Sequence, residues 1–114
     1  MSYQNTRSTL ANGYDAAVSF TTQLEWTNHD SGAIQVVWSG INANNGTVRL
    51  RATVDGSSWC NLTTDPTTLT VSSGNQVFNF TGGDIGFESV QVVYVAASNT
   101  VGTITATANR KSLR

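Results

Sequence analysis

From Thr47 to Val54 the chain alternates without a fault: Val48, Leu50, Ala52 and Val54 on one side, Thr47, Arg49, Arg51 and Thr53 on the other. A period of two is that of an extended strand with one face buried and the other turned to water or a partner. Asp55-Gly56 follows, a pair that tolerates the positive φ of a tight turn. Ser58 to Leu62 then resumes an extended pattern, so Thr47 to Leu62 is read as a β-hairpin with Trp59 just past its turn. A chain that commits to this pattern must supply further strands to cover the apolar face.

It does so repeatedly. Ile34, Val36 and Trp38 share one face of a strand over Ala33 to Ser39. Val90, Val92 and Tyr94 do the same within Glu88 to Ala96, where Val93 and Val95 predict cover on the second face as well. Ile104, Ala106 and Ala108 alternate with Thr103, Thr105 and Thr107 in a last strand, Val101 to Ala108. Ala16 to Phe20 and Thr21 to Trp26 are read as two short strands, or one bent near Thr22. Asn45-Gly46 is a second turn pair of the positive-φ kind. Thr67 to Val71 and Gln76 to Phe80 read as a hairpin closed by Ser72-Ser73-Gly74-Asn75, with Pro66 marking an edge or loop before it.

No segment holds a 3.6-residue apolar period over three turns. The 17 Thr, 12 Ser, 11 Asn and 10 Gly fit this picture, since Thr suits a pleated surface and the others supply turns. The expected fold is all-β: one antiparallel β-sandwich, jelly-roll-like, of about eight short strands. The expected organisation is an extended N-terminal arm over 1–12, the sandwich over 13–109 and a short basic tail over 110–114. A chain of 114 residues has room for one core.

Charged residues make up 11% and the formal net charge is −1. Six basic residues, Arg7, Arg49, Arg51, Arg110, Lys111 and Arg114, are too few and too scattered for a nucleic-acid footprint. With one cysteine, Cys60, no internal disulfide can form, and the simplest expectation is intracellular folding with Cys60 buried or half-buried in a strand. Met1 to Thr9 lacks the apolar run of a secretory signal, and no stretch is long enough for a membrane span.

Catalytic chemistry has little to work with. His29 stands alone in the turn Thr27-Asn28-His29-Asp30, and no second His or Cys lies near enough in sequence to complete a zinc site. Asp15, Asp30, Asp55, Asp65 and Asp84 fall in or beside turns, where the side chain caps backbone N–H groups; no EF-hand spacing links them. Gly82-Gly83-Asp84-Ile85-Gly86 precedes a strand and lacks the Lys-Ser/Thr of a phosphate loop. No enzyme activity, cofactor or metal is expected.

Binding residues are better supplied. Trp38 and Tyr94 are in phase with core neighbours, whereas Trp26 and Trp59 are candidates for an interface or groove. Arg49 and Arg51 project from one strand face, solvated or set against an acidic partner. Ser2, Tyr3, Gln4, Asn5, Arg7 and Leu10 would be the contact residues of an arm that docks on a neighbour.

The segments Ile34-Gln35-Val36-Val37-Trp38-Ser39-Gly40 and Gly46 to Trp59, with Ser89-Val90-Gln91-Val92-Val93-Tyr94 and Gly102 to Ala106, resemble small β-sandwich structural proteins of tailed bacteriophages. Capsid decoration (cement) proteins with a jelly-roll core are among them. The resemblance spans about Ala33 to Ala108 and rests on strand-and-turn patterns. It implies a non-enzymatic virion protein, made in the host cytoplasm, that sits on the outer head and bridges capsomers. Its partners would be the major capsid protein and itself, as a dimer or trimer. The Asp-Gly-x-x-Trp hairpin also resembles parts of carbohydrate-binding sandwiches, for which Trp26 and Trp59 would stack on a surface glycan. A tail or baseplate component shares the assembly logic of the first reading.

Overall fold

A computed structural model of the chain describes residues 3–27, 31–62, 66–80 and 87–113. Within them the backbone forms strands β1 (Tyr3–Asp15), β2 (Phe20–Glu25), β3 (Ser31–Ser39), β4 (Thr47–Thr53), β5 (Cys60–Asn61), β6 (Thr67–Thr68), β7 (Gly74–Phe80), β8 (Ser89–Val95) and β9 (Thr103–Leu113). One sheet has the order β1-β9-β3-β7, the other β2-β8-β4-β5, and β6 also pairs with β4. Every pairing is antiparallel.

β5 and β6 flank the same strand at opposite ends, Arg51 and Ala52 facing Asn61 and Cys60 while Thr47 and Val48 face Thr68 and Thr67. They amount to one edge strand interrupted in its middle, which leaves eight strand positions. Between positions the chain changes sheet at every connection except β4 to β5, giving the double Greek key of a jelly roll. The sandwich and its eight positions match the sequence reading. The expected hairpin from Thr67 to Phe80 does not form: β6 belongs to one sheet and β7 to the other, so Ser72-Ser73 carries a crossing.

The inner faces meet as the alternation dictates. Val48, Leu50 and Ala52 of β4 and Val90, Val92 and Tyr94 of β8 pack towards Ile34, Val36 and Trp38 of β3 and Ile104, Ala106 and Ala108 of β9, all buried. Within the first sheet large residues stand beside small ones: Ile34 is opposite Ala108 and Val36 opposite Ala106. Each large side chain so buried contributes roughly 1.5–3 kcal/mol. Two of the buried rings with polar tips reach across to loop carbonyls: Trp38 Nε1 donates to the Thr70 carbonyl at 2.8 Å and Tyr94 Oη to the Ala16 carbonyl at 2.7 Å. Phe20 extends this packing between Tyr14 and Tyr94, with centroid distances of 5.0 and 5.2 Å.

At one end of the sandwich, asparagine side chains join the crossing loops. Asn45 exchanges two hydrogen bonds with Ser98, at 2.9 and 3.1 Å, and Asn42 exchanges two with Thr100, at 2.7 and 3.0 Å. Buried Asn99 accepts from Ala43 N–H at 2.9 Å and donates to the Ala96 carbonyl at 3.0 Å. Amides imitate a ladder here, because the backbone must leave one sheet for the other and cannot pair with itself. Asn45 and Gly46 are therefore not a positive-φ hairpin turn. Gly46 is needed because a Cβ there would lie 2.6 Å from Asn99 Nδ2.

Both termini depart from the expected organisation. The stretch over 1–12 read as an extended arm belongs to β1, paired with β9 from Tyr3↔Leu113 to Asp15↔Thr103. The residues read as a basic tail continue β9 to Leu113. Arg110 is in phase with Ala106 and Ala108, so its guanidinium enters the end of the sandwich and donates to the Glu25 carbonyl of β2 at 2.7 Å and to Ser8 Oγ of β1 at 3.0 Å. It thereby ties the two sheets together. Ala16 to Ser19 form the β1–β2 connection rather than a strand, and Val95 on the outer face of β8 is 46% exposed, so that strand is only partly covered.

Gly32 packs where β3 passes Trp26. A Cβ there would collide with the Asn109 carbonyl and lie 2.8 Å from the Trp26 ring. Gly32→Ala is expected to destabilise the fold by about 1–3 kcal/mol in chemical denaturation, the usual range for overpacking. An unchanged midpoint would contradict this packing.

Candidate functional site

The outer faces of the two sheets hold the side chains that the core does not use. On the β1-β9-β3-β7 sheet two cross-strand rows run side by side: Arg7, Asn109, Ala33 and Asn79, then Thr9, Thr107, Gln35 and Val77. The small side chain of Ala33 lowers the floor, and Arg7, Thr9, Ala33, Gln35, Val77, Thr107 and Asn109 enclose an open groove of about 620 Å³. Its lining holds one charge, Arg7, and no aromatic ring. Neutral amides and hydroxyls that both donate and accept surround an alanine and a valine. Such a surface suits shape-matched contact with a polar partner rather than proton transfer.

On the other sheet Arg49 is directly opposite Val93, which has Thr21 on its other side, while Arg51 is opposite Gln91 and Asn61. Both arginines are half-buried. Arg51 also donates a long hydrogen bond, 3.4 Å, to the Trp59 carbonyl. They remain on one face, as the alternation requires, and lie on the opposite sheet from the groove.

The remaining candidates disperse. Trp26 is buried, 1% exposed, and belongs to the core; Trp59 is half-buried beside the β4–β5 turn. No exposed platform of these two rings exists. Leu10 is partly buried against the core rather than free for a neighbour. Asn5 and Arg7 are exposed on β1, and Tyr3 and Gln4 are part of its backbone. Ser2 and His29 lie outside the described residues, as do Asp30, Asp65 and Asp84. Cys60 is exposed, against expectation, because β5 is a two-residue edge strand whose two residues are both exposed. Among the described residues no three His, Cys, Asp or Glu side chains gather as metal ligands, and no helix is long and apolar enough to cross a membrane.

Asp15 and Asp55 cap turns, as their positions suggested. Asp15 Oδ1 accepts from Ala17 N–H at 2.9 Å. Asp55 Oδ1 accepts from Ser58 N–H at 2.8 Å, Ser57 N–H at 2.9 Å and Thr53 Oγ1 at 3.1 Å. The two backbone N–H donors, Ser58 before Ser57, hold its carboxyl well below the usual carboxylate range. Beside this turn Ala52, Val54, Asp55, Ser58, Cys60, Leu62 and Phe87 line a smaller depression of about 250 Å³. The groove was missed in the sequence because its residues are spread over β1, β3, β7 and β9 and carry no motif; only their common outward phase connects them.

No family model matches the chain, and no curated protein matches it significantly. Solved structures do. A chain from a structure of infectious bursal disease virus, Gx strain, superposes over 98% of this chain and 33% of its own length, at 11% identity and a TM-score of 0.60. A chain from a study of CBM4 structure and function covers 77% of this chain and 56% of its own, at 17% identity and a TM-score of 0.49. A mutant of a family 29 carbohydrate-binding module covers 96% and 87%, at 9% identity and a TM-score of 0.48. The chain thus spans about half of the chain from the CBM4 study and a third of the virus chain. At these identities the likeness shows the fold alone, a β-sandwich.

A folded-state pKa below the unfolded value means that Asp55 stabilises the fold above the unfolded carboxylate range, about pH 4, and loses that contribution as pH falls below it. Asp55→Asn keeps an acceptor but not the charge. Its melting temperature should lie below that of the parent at pH 7, and the gap should close as the pH is lowered through 4 towards 2. A gap independent of pH would contradict the charged cap.

Proposed function

We propose that this chain is a non-enzymatic virion structural protein, a capsid decoration protein that seats the outer face of its β1-β9-β3-β7 sheet on the head surface. The observation that carries the reading is that face itself: a broad groove on a rigid sheet, with one cation, four neutral hydrogen-bonding side chains and no cluster of titratable groups. Interfaces of this character exclude charge from their centre and gain specificity from shape. The major capsid protein is the partner the resemblance implies, and self-association of the chain is part of the same reading. The sandwich likeness to a virus chain supports it at the level of fold. The glycan alternative loses its intended platform, since Trp26 is buried and the groove has no ring on which a sugar can stack.

Co-sedimentation with mature heads of the phage that encodes the chain tests the proposal. Saturable attachment is expected, and Val77→Glu should weaken it by about tenfold or more, because an unpaired carboxylate at the centre of a dry contact is costly. Val77 is 42% exposed, so folding should change by no more than about 0.5 kcal/mol. Absence of attachment, or attachment indifferent to Val77→Glu, would overturn the proposal; glycan-array binding in its place would favour the carbohydrate reading.

A further inference from the structure

Among the described residues β9 is the one strand that pairs with β1, so the outer edge of β1 is open. In an antiparallel pair every second residue turns its N–H and C=O away from the neighbour, and on an edge strand these groups form a row that another strand can satisfy. Proteins ordinarily block such rows with proline, lysine, bulges or short edges. β1 has 13 residues, and its irregularities all come late. Its register with β9 is unbroken from Tyr3↔Leu113 to Thr9↔Thr107 and shifts only between Thr9 and Ala11 and between Ala11 and Tyr14. Tyr3 to Thr9 contains no proline, lysine or acidic residue, and Arg7 is its one charge. Asn5, Thr6 and Arg7 are all exposed, Thr6 even though it faces the side of the second sheet. From Asn5 to Arg7 the strand is thus exposed on both faces and its outer edge is open to approach.

We propose that two copies of the chain pair antiparallel along these open edges, with the two-fold axis through Thr6, so that the four-stranded sheets join into one of eight strands. The register follows from geometry. Directly opposed residues of an antiparallel pair point to the same face, so the axis must pass through a residue and not between two. An axis through Thr6 uses the whole regular segment: Tyr3 opposes Thr9, Gln4 opposes Ser8, Asn5 opposes Arg7, and Thr6 meets its counterpart. An axis through Arg7 would set two guanidiniums against each other, and one through Asn5 would pair fewer residues. The Thr6 register alone combines full length with charge opposed to a neutral amide, and a threonine pair at its centre is itself favourable. Arg7 and Thr9 line the groove, so pairing would place two grooves in tandem on one continuous sheet face.

The pairing specifies the self-association within the proposed function and rests on that reading only to this extent. It is tested on the purified full chain without particles. A dimer that ignores heads defeats the function and keeps the pairing; a monomer that binds heads does the reverse.

Light scattering over a dilution series should give a reversible monomer–dimer equilibrium. Asn5→Lys, which sets a like charge opposite each Arg7, should weaken it by about tenfold, and Asn5→Glu should tighten it at low salt but not at high salt. In a Cys60→Ser background, Thr6→Cys should oxidise rapidly to a linked dimer, because opposed residues at an axis come within disulfide reach. Thr9→Cys in the same background should not, since the two thiols would lie about 20 Å apart. A monomer at every concentration, a dimer indifferent to both Asn5 variants, or equal crosslinking of Thr6→Cys and Thr9→Cys would each overturn the proposal.

Discussion

The structure depends on two alternating faces finding each other. With no helix among the described residues, no possible internal disulfide and 11% charged residues, burial of the inner faces is the main source of stability the chain has. β4 and β8 supply one face and β3 and β9 the other, and a shift of one residue in any register would turn Val48, Leu50 or Ile34 out to water. The alternation holds from Thr47 to Ala52 and sets the register of β4 against β8, but it ends there: Thr53 is buried and Val54, expected on the inner face, lies past the end of the strand and is 73% exposed.

Crossing between sheets is the cost of a jelly roll, because backbone groups leave their ladders at each passage. This chain meets that demand with side chains. Asn42, Asn45 and Asn99 close the β3–β4 and β8–β9 connections, Trp38 and Tyr94 donate to carbonyls in others, and Arg110 reaches from β9 to the last carbonyl of β2. The abundance of asparagine, which composition alone attributes to turns, has a more specific use here as a substitute for backbone pairing.

What was legible in the sequence followed this division. β3, β4, β8 and β9 have unbroken alternation and were found, because each is buried on one face along its length. β1 reads as an arm because its irregularities change the phase between Thr9 and Tyr14 and neither face of its first half is apolar. The β6–β7 crossing was taken for a hairpin because a sheet-changing loop uses the same Ser and Gly as a tight turn. Arg110 was assigned to a tail because a charge was not expected in phase with Ala106 and Ala108. Among the candidate site residues, Arg7 joins the groove and Arg49 and Arg51 keep their common face, whereas Trp26, one of two rings that are candidates for an interface or groove, lies in the core: its solitary place after β2 gives no sign that Gly32 opens a slot for the ring. The rest of the groove was invisible for want of any contiguous signal.

The groove and the open edge both require β1 to be an integral strand with one edge paired and one edge open. Amide hydrogen exchange on the dilute, full-length chain tests this most directly. The account predicts that protection between Tyr3 and Thr9 alternates, residues bonded to β9 exchanging slowly and those on the outer edge rapidly. Uniformly rapid exchange from Tyr3 to Asp15, the behaviour of a free arm, would contradict it.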